Sequence, residues 1–327
     1  MRWIRLIEIG WQGWALFNAA VIVMLLLDLG VFNRKAKKVT VKAALYWTAF
    51  WVALSMVFNA FVFDRFGNQA GLDFFTGYIL EKSLSVDNLF VFLLIFNYFK
   101  VPAKIQHRVL FLGILGALVL RGVFIYLGAT LVQQFHWVLY IFGAFLVFSG
   151  FKLFFLGDDE DQNPENAIVR AARRRMKITD DFVGEKFFVM RDGVRHATPL
   201  FLVLIAVETS DVLFAVDSIP AIFGVTQDPF IVYTSNVMAI LGLRSLYFAL
   251  AGLLEYFHYL NAGLAAVLIF IGVKMLGESF FEIGDAVELG VIAIILLLSV
   301  LASVVFPKKT SLEAPKPTTD QEDKEAV

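Results

Sequence analysis

The segment VLFLGILGALVLRGVFIYLGATLV, residues 109–132, decides the fold class because its 24 residues include one charged side chain, Arg121. A helix rises about 1.5 Å per residue, so a run of this length crosses a hydrocarbon core roughly 30 Å thick. Similar runs recur along the 327-residue chain, of which 59% is hydrophobic and 17% charged. An average soluble protein has roughly 25% charged residues. The sequence therefore predicts an all-α, polytopic membrane protein.

The apolar runs and the polar breaks between them predict about nine transmembrane helices. Lys and Arg concentrate in alternate loops, at 33–42, 100–108 and 170–177. Positive loops stay in the cytoplasm, so the N-terminus is predicted outside and the C-terminus inside. The nine spans are expected near residues 12–32, 43–63, 74–99, 109–132, 137–156, 199–223, 230–254, 261–280 and 285–306.

An internal repeat with a spacing of about 122 to 124 residues organises the predicted spans. Residues 86–91, VDNLFV, resemble 210–216, SDVLFAV, and further anchors follow in the same order. Each copy holds three spans, an odd number, so the copies enter the membrane in opposite senses and form an inverted repeat. The further anchors pair Arg121 with Arg244, Phe135-His136 with Phe257-His258, and Gly150-Phe151-Lys152 with Gly272-Val273-Lys274.

The repeat divides the chain into six segments. Two N-terminal helices occupy 1–73, the first repeat 74–156, a cytoplasmic loop 157–198, the second repeat 199–280 and the last helix 281–306. Within the loop, Asp192-Gly193 between short alternating segments predicts a small hairpin. The tail, 307–327, has no apolar period and is predicted to be disordered in the cytoplasm.

Five carboxylates interrupt the third and sixth spans. They are Glu81, Asp87, Glu208, Asp211 and Asp217. A charge at a helix centre costs about 2.5 to 3.5 kcal/mol, so intramembrane acids are by default functional candidates. Asp87 and Asp211 lie near the thirteenth residue of their spans, where the repeat axis relates them.

Polar neighbours extend this candidate site. On a helix, Asn88 shares a face with Glu81, and Ser218 shares one with Asp211. Asp217 would point elsewhere, but a kink at Pro220 is expected to turn it inward. Such an oxygen-rich set suits Mg²⁺, Ca²⁺ or Mn²⁺. The simplest role of Arg121 and Arg244 is to act as counter-charges to some of these acids.

The motifs EKSLSVDNLF at 81–90, ETSD at 208–211 and VDSIP at 216–220 resemble the TerC family of integral membrane proteins. The resemblance covers roughly residues 12–306 and is greatest to the alkaline-induced manganese exporters of bacteria. It implies export of Mn²⁺, as a transported substrate rather than a cofactor, across the bacterial inner membrane. Together with the inverted repeat, this leads to the hypothesis of alternating access, in which the two three-helix units rock around the acidic site. Proton coupling is consistent with it because the ligands titrate. The five acids match the acidic positions of the family motifs.

Two other functional interpretations of the sequence remain open. The chain could be a membrane scaffold or assembly factor, linked to tellurite resistance or protein insertion, whose acids serve only folding. An enzyme is not expected, because no H-E-x-x-H or G-x-S-x-G motif and no cysteine occur, although an aspartyl dyad of Asp87 and Asp211 stays open. Nucleic-acid binding is not expected either, because the net charge is −1 and the basic residues lie at membrane edges.

Overall fold

The computed structural model describes residues 9–32, 41–156, 167–191, 193–250, 259–277, 280 and 283–305. Its helices and strands are α1 (Trp11–Phe32), α2 (Val41–Phe66), α3 (Asn68–Tyr98), α4 (Ala103–Gln134), α5 (Val138–Leu156), α6 (Ala167–Arg175), β1 (Phe188–Arg191), β2 (Val194–Ala197), α7 (Pro199–Val225), α8 (Pro229–Ile240), α9 (Leu243–Leu250), α10 (Leu260–Gly277) and α11 (Asp285–Val305). The tail predicted to be disordered, 307–327, lies outside the described residues, as do Phe257 and His258 of the repeat anchors.

Eight segments of the described chain are long and apolar enough to cross a membrane. Seven are the helices α1, α2, α4, α5, α7, α10 and α11, and one runs through α8 and α9 together. The prediction of an all-α, polytopic membrane protein is confirmed. Large apolar side chains cover the outside of the bundle, as a lipid environment requires.

Helix α3 is 31 residues long but is not among those eight segments. Charged side chains, including Glu81 and Lys82, interrupt its apolar run. The helix packs against α2, α7 and α8, so neighbouring helices rather than lipid surround much of it. Glu81 is 2% exposed and Asn88 is 1% exposed, which places the polar face of α3 inside the bundle.

The seventh predicted span, 230–254, is not a single helix. It divides into α8 and α9 at Leu241 and Gly242, and residues 251–258 lie outside the described chain. Gly242 has φ +81°, a conformation that side chains with a Cβ rarely adopt. The Trp51 side chain also packs directly on Gly242, so a Cβ there would lie 2.6 Å from the indole. The break therefore depends on glycine.

The predicted hairpin is confirmed in the segment before α7. Strands β1 and β2 pair antiparallel, from Phe188 opposite Ala197 to Arg191 opposite Val194. Gly193 turns the chain with φ +73°. The preceding helix α6 packs against α7 through Val169, which is fully buried. The chain between α5 and α7 thus holds two packed elements.

Candidate functional site

A buried guanidinium joins two of the predicted acids. Arg121 on α4 donates from Nη1 to Oε1 of Glu81 on α3. It also donates to Asp211 on α7, from Nη2 to Oδ1 at 3.1 Å and from Nε to Oδ2 at 3.3 Å. The three side chains are at most 6% exposed. The Arg121 fork therefore links three helices in the interior.

Two asparagines complete the polar shell around these ions. Asn236 on α8 donates from Nδ2 to Oε2 of Glu81 at 2.8 Å. With its amide oriented to satisfy both ends, Asn88 donates to the Leu84 carbonyl at 2.9 Å and accepts from Arg121 Nη2 at 3.3 Å. A carboxylate in a dry interior needs such donors, because an unsatisfied buried charge is costly. We call Glu81, Asn88, Arg121, Asp211 and Asn236 the central cluster.

Local helix geometry explains why these groups meet. Glu81, Ser85 and Asn88 lie four and seven residues apart on one face of α3. The Ser85 hydroxyl donates to Glu81 Oε1 at 3.4 Å, and Ser218 on α7 lies beside the same carboxylate. Asp211 and Ser218 are seven residues apart on α7, so each helix presents one polar stripe to the other. The predicted shared faces are those found.

Helix α8 brings Asn236 to the cluster through a defined start. Asp228 caps α8 and accepts from the backbone N–H of Phe230 at 2.9 Å and of Ile231 at 3.1 Å. Such a cap satisfies amide groups that would otherwise be orphaned in the first turn. The Oδ1 atom of Asn236 is buried and accepts no hydrogen bond from the described residues. It is a spare acceptor beside Glu81.

Glu208 lies one turn before Asp211, on the rim of the central cluster. It is half-buried, and its carboxylate packs against Gly116 on α4, where the missing side chain leaves room for it. The electrostatic influence of Asp211 reaches this carboxylate. The Asp87 side chain, by contrast, lies outside the described part of the structure, so its predicted role stays a prediction.

Asp217 does not turn toward the central cluster as predicted. It accepts a hydrogen bond from Ser149 Oγ on α5 at 2.9 Å and lies near Lys152. Helix α7 continues through Pro220 to Val225, and six residues of helix turn Asp217 far from the Asp211 face. The helical rotation, rather than the proline, decides where Asp217 points.

The two arginines related by the repeat have different partners. Arg121 pairs with two predicted site acids, whereas Arg244 Nη2 lies 3.1 Å from Asp28 Oδ2 on α1 and also donates to the Asp28 carbonyl. Asp28 was not singled out from the sequence, nor was Asn236. A signal for Asn236 did exist, because Thr234, Ser235 and Asn236 are consecutive polar residues within an apolar span.

The donor set of the central cluster fits a hard cation, since it offers carboxylate and amide oxygens. Arg121 neutralises one of the two carboxylates it contacts, which leaves a formal charge of −1 for Glu81, Asp211 and Arg121 together. In this arrangement no three acidic or histidine side chains of the described chain converge as metal ligands. A bound cation would therefore have to compete with Arg121 for the same oxygens.

Comparison with known proteins identifies relatives for most of the chain. A membrane protein of Myxococcus xanthus, "Uncharacterized membrane protein STKORF319", is 54% identical over 89% of this chain and 92% of its own length. "Putative membrane-bound redox modulator Alx" of Escherichia coli strain K12 is 50% identical over 88% of this chain and 92% of its own. No solved structure matches the chain. The model of the "Integral membrane protein TerC family" matches residues 66–311, and the chain belongs to this family.

Proposed function

We propose that this protein exports a divalent cation, Mn²⁺, across the bacterial inner membrane by alternating access at the central cluster. The observation that carries the proposal is the burial of Glu81 and Asp211 with amide oxygens at the contact of α3, α4, α7 and α8. Ionisable groups inside a membrane bundle are costly, and substrate and ion pathways are among the functional sites that they mark.

An inverted repeat is supported by the packing of α5 against α10, the third helices of the two proposed copies. Gly143 approaches the Gly272 carbonyl, and Gly150 approaches the Ala265 carbonyl. At the repeat spacing of 122 residues, Gly143 corresponds to Ala265 and Gly150 to Gly272. Each contact is therefore the image of the other, as a local two-fold axis requires. Rocking about such an axis would expose the site to either side.

In the transport cycle that we propose, the Arg121 guanidinium competes with the metal ion for the same two carboxylates. When Arg121 holds both carboxylates, the site has little remaining charge to attract a divalent cation. Cation binding would displace the guanidinium and take up Glu81, Asp211 and the free oxygen of Asn236. Return of Arg121 after release would close the empty site and limit leakage. The same titratable carboxylates provide for proton coupling.

The proposed orientation places the N-terminus outside and the C-terminus in the cytoplasm. The basic helix α6, with Arg173, Arg174 and Arg175 in its last turn, then lies on the cytoplasmic side with the hairpin. The relatives named as redox modulators suggest a different activity for those proteins. Thiol exchange by this chain is not proposed, because its 327 residues contain no cysteine.

A scaffold or assembly factor is the second candidate function. It is favoured by the pairing of Arg121 with two carboxylates, because a purely structural ion network would have the same contacts. It is favoured too by the folded segment between α5 and α7, which offers a surface for partners. The two candidates differ in whether Asp211 is needed for ion movement or only for folding.

Flux through the reconstituted protein separates these candidates. We would measure Mn²⁺ uptake into proteoliposomes that hold a Mn²⁺-sensitive dye, with wild type, Asp211→Asn and Asp64→Asn. Asp64 is an exposed acid on α2 and serves as the matched control. Transport predicts at least a tenfold loss for Asp211→Asn at equal folded protein and no loss for Asp64→Asn. Absence of flux in wild type, or equal flux in both variants, would exclude the transport proposal.

A further inference from the structure

A second buried charge cluster lies at the opposite end of the bundle from the β-hairpin. The hairpin precedes α7, and α7 spans 27 residues, which makes it about 40 Å long. At the far end of α7, Thr226 lies beside the Asp73 carboxylate on α3. Two acids on α11, Asp285 and Glu288, and Lys274 on α10 are within electrostatic range of the same carboxylate. The start of α3, the end of α7, the end of α10 and the start of α11 thus lie together at this end of the bundle.

Oxygen atoms already hold a cationic group in this cluster. The Lys274 ammonium donates to Oε2 of Glu288 and to the Gly224 carbonyl, the latter at 3.1 Å. Glu288 is 1% exposed, so its charge is taken out of water. A carbonyl near the C-terminal end of α7 adds the negative end of a helix dipole to this environment. One carboxylate oxygen and one backbone carbonyl oxygen therefore hold the ammonium in place.

Glu288 has more acceptor capacity than Lys274 uses. Its Oε1 atom is buried and receives no hydrogen bond from the described residues. Asp73, 7% exposed, receives a hydrogen bond from Gln69 at 3.3 Å. It is within electrostatic range of the Lys274 ammonium but, within the described structure, forms no direct ion pair with it. Leaving a carboxylate oxygen buried without a donor is costly, so it needs a reason. A ligand with a higher charge than lysine would satisfy both acids.

We propose that Glu288, Asp73 and the Gly224 carbonyl form a second divalent-cation site, which the tethered ammonium of Lys274 occupies when no metal is bound. Carboxylate and carbonyl oxygens are the ligands that Mg²⁺, Ca²⁺ and Mn²⁺ prefer. A divalent ion displaces Lys274 and neutralises two carboxylates where lysine neutralises one. The site goes beyond the proposed transport function, because it binds cations whether or not the central cluster moves them.

Replacing Lys274 distinguishes a cation site from a structural salt bridge. At a cation site the replacement raises the affinity for Mn²⁺, whereas at a structural salt bridge it does not. Lys274→Met removes the competitor but keeps the length and apolar packing of the side chain. We expect Mn²⁺ to bind this variant at least tenfold more tightly than it binds the parent protein that retains Lys274. The affinity is measured on the purified full chain, with electron paramagnetic resonance reporting the concentration of free Mn²⁺. Glu288→Gln is expected to weaken Mn²⁺ binding at least tenfold. The double variant, Lys274→Met with Glu288→Gln, is expected to lose the higher Mn²⁺ affinity of Lys274→Met.

All four proteins are compared in the Asp211→Asn background, so that ions bound at the central cluster do not hide the second site. Asp64→Asn again serves as the control acid, and folding is checked by the thermal unfolding midpoint. A cation site predicts that Mn²⁺ raises the midpoint of the Lys274→Met protein more than that of its Glu288→Gln derivative. Unchanged affinity in Lys274→Met, or Mn²⁺ binding in Glu288→Gln equal to that of its parent, overturns the proposal. Absence of Mn²⁺ flux through the wild-type protein would refute the transport proposal and would leave this second site untouched.

Discussion

Replacing Arg121 with methionine is the most direct test of what the central cluster contributes to stability. The side chain links Glu81 and Asp211, and all three groups are at most 6% exposed. Its removal leaves two buried carboxylates without their cation. Removing one partner of a buried ion pair costs about 3–5 kcal/mol. We therefore expect Arg121→Met to lower the free energy of unfolding by about that amount.

A second arginine supplies a control at the same distance. Arg108 lies 3.1 Å from Glu185, as Arg121 Nη2 lies 3.1 Å from Asp211, but the side chains of the first pair are 42% and 46% exposed. Exposed ion pairs contribute about 0.2–1 kcal/mol, because water already solvates both charges. Arg108→Met should therefore be nearly neutral. The two arginines share one ionic distance but differ in burial and in the number of carboxylates that they contact.

The assay is SDS-driven unfolding of the purified protein in mixed micelles, followed by tryptophan fluorescence. A rescue variant adds Glu81→Gln and Asp211→Asn to Arg121→Met, which removes the uncompensated charge. It should recover most of the lost stability, because the penalty comes from the unpaired carboxylates and not from the missing arginine contacts. Equal destabilisation by Arg121→Met and Arg108→Met, or no recovery in the rescue variant, would refute this account.

The remaining predictions use the same unfolding assay. Gly143→Leu should cost about 1–3 kcal/mol, because its Cβ would lie 3.0 Å from a backbone carbonyl of α10, whereas Gly290→Leu meets open space and should cost little. Gly193→Ala should cost roughly 1–2 kcal/mol for its positive φ alone. Gly242→Ala should cost more than Gly193→Ala, because the indole packed on it must also move; equal costs would argue against that packing. Asp228→Ala should cost about 1–2 kcal/mol through loss of the α8 cap, with Asp228→Asn retaining most of the stability.

The helical architecture was largely predictable from local sequence. Apolar length marks a membrane helix wherever lipid surrounds it, and eight of the nine predicted spans correspond to described segments that are apolar enough to cross a membrane. The third predicted span, 74–99, forms the helix α3 but is not one of those eight. The other exception is the break at Gly242, which one glycine within an apolar run does not reveal. The side chain of Trp51, almost two hundred positions away in sequence, occupies the space at that glycine. Only the folded chain brings the two together.

The acids of the candidate site were predictable because a membrane interior penalises charge. The side chains on other helices that bind these acids were not predictable. Helical spacing correctly placed Glu81 with Asn88 and Asp211 with Ser218, since faces of one helix follow from its period. The proposed inward turn of Asp217 was wrong, because the same period carries it toward α5. Pairing between helices depends on rotation and depth, which the local sequence of either helix does not contain.

Local sequence is enough to establish that this chain spans a membrane through many helices and that it keeps several carboxylates inside. Both follow from the cost of exposing polar groups to lipid, which acts on each segment separately. The packing of the helices decides which ions pair. Arg121 forms ion pairs with two acids, Arg244 forms one with Asp28, and Lys274 forms one with Glu288. These choices depend on distances of a few ångströms between different helices, and such distances exist only after the helices have packed.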